Sequence, residues 1–210
     1  LLSAIFSNAD DCKKIIRLLA TRNSGFTREE IAKSTGLPLG GGLTNTLASL
    51  AESDFIQKYI PYGVSGKQDR YKLIDNFCLF WLKYVEQNGK DSTFMSDNIA
   101  SDILKSWHGV AFEQLCWQHI VQIKRALEIG GVKTSLSAWC LKGNDEHRGV
   151  QIDMLIFRND NVVNLCEMKF AGSPYETDKD ENKRTIERIN ALNYTNVPKK
   201  TIRLIMISTY

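Results

Sequence analysis

Four side chains in the second half of this 210-residue chain are of the types that assemble hydrolytic metal centres: Glu113, Asp153, Glu167 and Lys169. Glu167 and Lys169 stand two apart in Val162-Val163-Asn164-Leu165-Cys166-Glu167-Met168-Lys169-Phe170, an apolar run that reads as a strand. Residues two apart on a strand project from one face. A carboxylate and an ammonium therefore share one side of an otherwise apolar ribbon, which is costly to bury without a partner or an ion. Asp153, in Val150-Gln151-Ile152-Asp153-Met154-Leu155-Ile156-Phe157, poses the same problem one strand earlier. Clustered carboxylate oxygens suit a hard divalent ion such as Mg²⁺. A neighbouring cation suits the charge that develops when a phosphodiester is hydrolysed.

Strand register decides whether the acids can meet. Opposed residues of an antiparallel hairpin lie on the same face. A three-residue loop Asn159-Asp160-Asn161 puts Arg158 opposite Val162, Leu155 opposite Leu165 and Asp153 opposite Glu167. A two-residue loop would set Asp153 against Cys166 and separate the pair. Asn tolerates the left-handed backbone that the longer loop needs, so three residues, or a bulge of the same parity, are expected.

The elements that must hold these residues follow in order from Trp107. A helix over about 107–128 ends at Gly130-Gly131. Strands follow at 133–141, 150–157 and 162–170, then a charged helix at 178–194 and a last strand at 202–208. Glu113 lies on the first helix, from which it reaches a metal directly or through water. The closing helix alternates acid and base through Lys179, Lys183, Arg184 and Arg188, the pattern of a solvated face.

Residues 1–75 read helix, helix, helix, hairpin. Asp10-Asp11 opens the first helix, and Thr27 to Glu30 forms a capping box on the second, which Gly36 stops. Leu43, Leu47 and Leu50 give the third one buried face, and the runs 55–62 and 70–74 make the hairpin. This is the plan of a winged helix-turn-helix. Thr44, Asn45 and Ser49 on its third helix, with Lys67 and Arg70 of the wing, are the candidate DNA contacts. Ten basic side chains against eight acidic ones make this segment a weakly charged DNA binder, so a protein partner is the alternative. Residues 76–106 form a helical connector, in which the run Phe77 to Val85 is too apolar all round for a surface helix and predicts a helix clasped between two domains.

Composition bounds the rest. Hydrophobic residues at 43%, charged residues at 24% and a net charge of +3 describe a globular protein without a polybasic tail. Five cysteines lie far apart in apolar runs, without zinc spacing, which predicts reduced thiols and a cytoplasmic setting. No run is long enough to span a membrane. The chain opens at Leu1-Leu2-Ser3 and ends in an apolar strand, so a piece of a longer protein is expected. Gly63-Val64-Ser65-Gly66-Lys67 lacks the spacing of a phosphate-binding loop and reads as a wing tip. His108, His119 and His147 have no ligand spacing.

Glu on a helix, Asp on one strand and Glu-x-Lys on the next resembles the PD-(D/E)XK nuclease signature, in an α-β-β-β-α-β domain over 107–210. That resemblance implies an α+β or α/β fold of restriction-endonuclease type. It implies Mg²⁺ held by Asp153, Glu167 and the Met168 carbonyl, with Lys169 acting on the attacking water and the developing charge. Catalytically silent scaffolds share the fold, which leaves DNA or protein binding as the alternative. The connector Tyr71-Lys72-Leu73-Ile74-Asp75-Asn76-Phe77-Cys78-Leu79-Phe80-Trp81 and the run Trp107-His108-Gly109-Val110-Ala111-Phe112-Glu113 resemble the C-terminal half of prokaryotic AAA+ ATPases of the archaeal-ATPase type. In such proteins ATP is bound by an N-terminal domain, which this chain does not include.

Overall fold

A computed structural model describes residues 2–62, 69–89, 91, 93–98, 101–141, 149–194 and 200–210. Among them, 2–59 with 69–107 form one compact unit, and 60–62 with 108–210 form a second. The class is mixed α+β. Among the described residues no helix is long and apolar enough to cross a membrane.

The first unit begins with α1 (Leu2–Ile5), α2 (Ala9–Leu19), β1 (Phe26–Thr27), α3 (Arg28–Thr35) and α4 (Gly41–Glu52), followed by β2 (Ile56–Tyr59) and β3 (Arg70–Leu73). The expected capping box on α3 is present. The Glu30 amide donates to the Thr27 hydroxyl (3.2 Å), and the Thr27 amide donates to the Glu30 carboxylate (2.7 Å). Gly36 ends α3 in the left-handed conformation at φ 73°. Cys12, Ile15, Ile16 and Leu19 of α2 are buried, as are Ile31 of α3 and Leu43, Leu47 and Leu50 of α4. The antiparallel sheet has the order β1-β3-β2. The hairpin tip at 63–68, including Lys67, lies outside the described residues.

Next come α5 (Asn76–Phe80), a π-helical stretch (Trp81–Val85), α6 (Glu86–Asn88) and α7 (Phe94–Asn98). The Asp75 carboxylate caps α5 by accepting from the Cys78 amide at 2.6 Å. The connector helix keeps an exposed apolar side. Leu79 is buried, whereas Phe77 and Trp81 are 61% and 46% exposed. The physical reason is the helical period: Phe77 and Trp81 stand four apart and share one outward stripe, their rings 6.1 Å apart. Phe80, Tyr84 and Trp107 instead meet in an aromatic trio with ring centres 5.2 to 6.0 Å apart.

The second unit contains most of α8 (Asp102–Gln118), then α9 (Ile120–Ala126), β4 (Thr134–Leu141), β5 (Val150–Arg158), β6 (Val162–Lys169), α10 (Lys179–Tyr194) and β7 (Thr201–Ser208). The expected single helix is broken at His119. The left-handed residue after α9 is Glu128 (φ 58°) rather than a glycine. The sheet order is β4-β5-β6-β7. The first three strands are antiparallel, and β7 returns parallel to β6 after the α10 crossover. Both faces are covered. Cys116 and Trp117 of α8 pack on Met154, Ile156, Cys166 and Met168. Leu192 of α10 packs on Ile152, Leu155, Val163 and Leu165. β6 is accordingly buried almost throughout, and any charge on it sits in a poorly hydrated place.

Candidate functional site

The β5–β6 hairpin has the register expected of a three-residue loop. Leu155 pairs with Leu165, Ile156 with Asn164 and Phe157 with Val163. The loop is Asn159-Asp160-Asn161, with Asn161 left-handed at φ 64°.

Asp153 sits in an irregularity that periodicity does not announce. Ser137 of β4 pairs with Leu155, but Trp139 pairs with Ile152, so Ala138 alone faces both Asp153 and Met154. This is a β-bulge, a distortion that re-aims side chains beside functional sites. Because of it, Ile152 and Leu155 both join the α10 side while Met154 turns to the α8 side. Regular β5–β6 pairing stops at Met154 with Cys166. Beyond that point the Asp153 carboxylate replaces the ladder by accepting from the Met168 amide at 3.2 Å. The Asp153 carbonyl in turn accepts from the Trp117 indole at 3.2 Å.

Glu167 is 2% exposed. Its Oε1 accepts from Lys169 Nζ at 2.7 Å and lies 3.2 Å from Arg188 Nη2. Its Oε2 is buried and has no hydrogen-bond partner among the described residues. Such an orphaned carboxylate oxygen is costly in a protein interior, and a bound cation relieves the cost. Two residues of α10 complete the cluster: Arg188, expected on a solvated helix face, and Glu181. Glu181 is 5% exposed, and Arg188 Nη1 holds its Oε1 at 3.0 Å. Lys169 Nζ lies 3.7 Å from Glu181 Oε2. Glu167, Lys169, Glu181 and Arg188 thus close a ring of two acids and two bases. The legible signal was the stripe Glu181, Thr185, Arg188 and Leu192 at helical spacing, leading back from a buried leucine. Lys183 and Lys179 are exposed as expected, and Arg184 is largely so.

Burial and then the Glu167 charge push the Asp153 carboxyl up to about 6, against the Met168 amide, Lys169 and Arg188, which pull it down. Burial works to lower the Lys169 ammonium, but the hydrogen bond and charge of Glu167, with Glu181 and Asp153, outweigh it and raise it. Lys169 therefore stays a cation. Burial likewise raises the thiols of Cys116 to about 11 and Cys166 to about 12, so neither is a nucleophile at neutral pH. Cys12, Cys78, Cys116 and Cys166 are free thiols.

Glu113 is half-buried on α8 and acts electrostatically on Cys116, as Asp153 does. The charges acting on Asp153 itself come from Glu167, Lys169 and Arg188. Helix α8 is tied to the end of β6 by His108 and Phe112, whose rings lie 4.8 and 6.3 Å from that of Phe170. The Met168 side chain is in the core, and its carbonyl belongs to the strand stretch that pairs with β7 at Ile207. Among the described residues, no group of three or more His, Cys, Asp or Glu side chains forms a ready cation cage. What the strands bring together is the pair Asp153 and Glu167 with Lys169.

In the first unit, Thr44, Asn45 and Ser49 share the exposed face of α4, a helix without Lys or Arg. Arg70 is engaged internally: its Nη1 donates to the Gly25 carbonyl at 3.1 Å and lies 3.7 Å from Glu30. Lys67, like His147, is outside the described residues.

The chain is similar to "Uncharacterized protein MJECL04" of Methanocaldococcus jannaschii, with 26% identity over 171 residues. The match covers 79% of this chain and 37% of that protein, so the chain spans well under half the length of its relative. No family model matches the chain, and no solved structure matches it.

Proposed function

We propose that the second unit is a PD-(D/E)XK nuclease-like domain that hydrolyses phosphodiester bonds of DNA with Mg²⁺. The observation that carries this reading is the buried, unpartnered Oε2 of Glu167 in electrostatic contact with Asp153, with Lys169 alongside. Asp153, Glu167 and the Met168 carbonyl would hold the ion, and Glu113 would reach it through water. Oxygen ligands on strands of a rigid sheet suit a hard, strongly hydrated cation. When bound, Mg²⁺ would supply a Lewis acid and a more acidic water. Lys169, kept protonated by its two carboxylate neighbours, binds the negative charge that grows on the phosphoryl oxygens and orients the attacking water. Asp153, once ionised, accepts from the Met168 amide and so keeps the end of β6 in place.

On the same reading the first unit is a winged helix. Thr44, Asn45 and Ser49 would face DNA bases, Lys67 of the wing would meet a phosphate, and Arg70 would support the wing from within. The resemblance carried by residues 71–81 and 107–113 makes the chain the C-terminal half of a cytoplasmic AAA+ ATPase of archaeal type, with ATP bound outside it. A second reading, a catalytically silent scaffold that binds DNA or protein, is favoured by one observation. Lys169 is already engaged by two carboxylates.

The test is plasmid nicking by the purified chain under Mg²⁺ or Mn²⁺, with Glu167→Ala and Lys169→Ala alongside. Metal-dependent nicking lowered at least a hundredfold by each substitution is expected. Nicking untouched by both substitutions refutes the assignment. Metal binding without nicking selects the scaffold.

A further inference from the structure

The α10 pair Glu181 and Arg188 has no place in the carboxylate-and-lysine set, yet it is built into the same cluster. Both lie on the helix stripe that faces the sheet, at i and i+7. Arg188 makes three contacts in three directions. Nη2 lies 3.2 Å from Glu167 Oε1, Nη1 donates to Glu181 Oε1 at 3.0 Å, and Nε donates to the Gln151 carbonyl of β5 at 3.1 Å. A planar guanidinium offers these donors in a fixed fork, whereas an ammonium could serve one or two at a time. Asp178 caps α10 by accepting from the Glu181 amide at 2.7 Å, which fixes the far end of the pair.

The consequence falls on Glu167. Arg188 and Lys169 both meet Oε1, and neither hydrogen-bonds Oε2. A carboxylate free to rotate about its last bond would share its two oxygens between two cations. Here Arg188, braced against Glu181 and Gln151, keeps one oxygen engaged and leaves the other open. We propose that Arg188, held by Glu181, is a positioning residue that orients Glu167 so that Oε2 is presented to a divalent cation. This rests on the reading of Asp153 and Glu167 as cation ligands, and it adds α10 to the site as the element that sets ligand geometry. Groups that hydrogen-bond a metal ligand from behind are commonly worth ten- to a hundredfold in affinity.

The sign of the effect separates positioning from plain electrostatics. Arg188 is a cation near a cation site, so by charge alone its removal should tighten metal binding. Positioning predicts the reverse. The experiment is Mn²⁺ titration of the whole chain, followed by electron paramagnetic resonance. It compares wild type with Arg188→Met, Arg188→Lys and the double variant Glu181→Gln/Arg188→Met. Thermal unfolding of each protein is recorded in a chelator.

Arg188→Met is expected to weaken Mn²⁺ binding about tenfold or more, and Arg188→Lys by less. If Arg188→Met does not fold, the double variant, which strands neither charge of the pair, is expected to show the same loss. Unchanged or tighter binding by folded Arg188→Met, or by the double variant, overturns the inference and leaves the ligand reading intact. Absence of Mn²⁺ binding by the wild type overturns that reading and this inference together.

Discussion

Asp153→Asn tests the electrostatics of the bulge most directly. The Asp153 carboxyl stands at about 6 in the folded chain against an ordinary 3.8, because burial and the Glu167 charge both oppose ionisation. The sign follows from linkage. Below pH 3.8 the carboxyl is protonated in folded and unfolded chains alike, and it costs nothing. As pH rises towards 6 the unfolded chain ionises and the folded one resists, so stability falls. Above 6 the loss is complete. With 1.36 kcal/mol per pH unit, it amounts to about 3 kcal/mol.

Asparagine cannot ionise, and its amide oxygen can still accept from Met168. In chelator, Asp153→Asn should therefore be more stable than wild type at pH 7.5, by about 1 to 3 kcal/mol. At pH 4 the two should nearly coincide. Urea unfolding from pH 4 to 8, read through the buried Trp117 and Trp139, measures both curves. Parallel curves from pH 4 to 8, with no growing gap, would show that Asp153 does not titrate near 6 and would refute the argument. Adding Mg²⁺ should narrow the gap for the wild type alone, since a bound cation stabilises the ionised form.

Two substitutions probe the backbone that carries the elements. Gly25→Ala introduces a Cβ 2.2 Å from the Tyr71 carbonyl at a position with φ 63°, so it should cost more than about 2 kcal/mol in chemical denaturation or abolish folding. Asn161→Val places a β-branched residue at φ 64° in the loop that sets the β5–β6 register. A loss of about 1 to 2 kcal/mol is expected, with Asn161→Gly near neutral as the control, both read by thermal unfolding.

Much of the backbone plan was legible because its signals are local. Thr27 and Glu30, Gly36 and the Leu43, Leu47, Leu50 stripe specify their helices through contacts within a few residues. The strands at 134–141, 150–158 and 162–169 follow from apolar runs between polar loops. The break at His119, the π-helical turn and the exposure of Phe77 and Trp81 were not legible. Those depend on which neighbours a helix meets, and periodicity reports only that a face is apolar.

For the candidate site, the sequence alone determined that Glu167 and Lys169 share one strand face and that Leu155 opposes Leu165. Side chains alternate with a period of two, and Asn159-Asp160-Asn161 sets the register. Tertiary structure decided the rest. The bulge at Asp153 and Met154 arises from mismatch with β4, a partner about fifteen residues away whose pairing no local pattern encodes. Arg70 is a candidate DNA contact by its place in the hairpin, and only the fold brings Gly25 and Glu30, far from it in sequence, against its guanidinium. Glu181 and Arg188 look like members of a solvated face until the α10 crossover lays that helix on β5 and β6. Their buried charges then become tolerable because Glu167 and Lys169 are there to meet them.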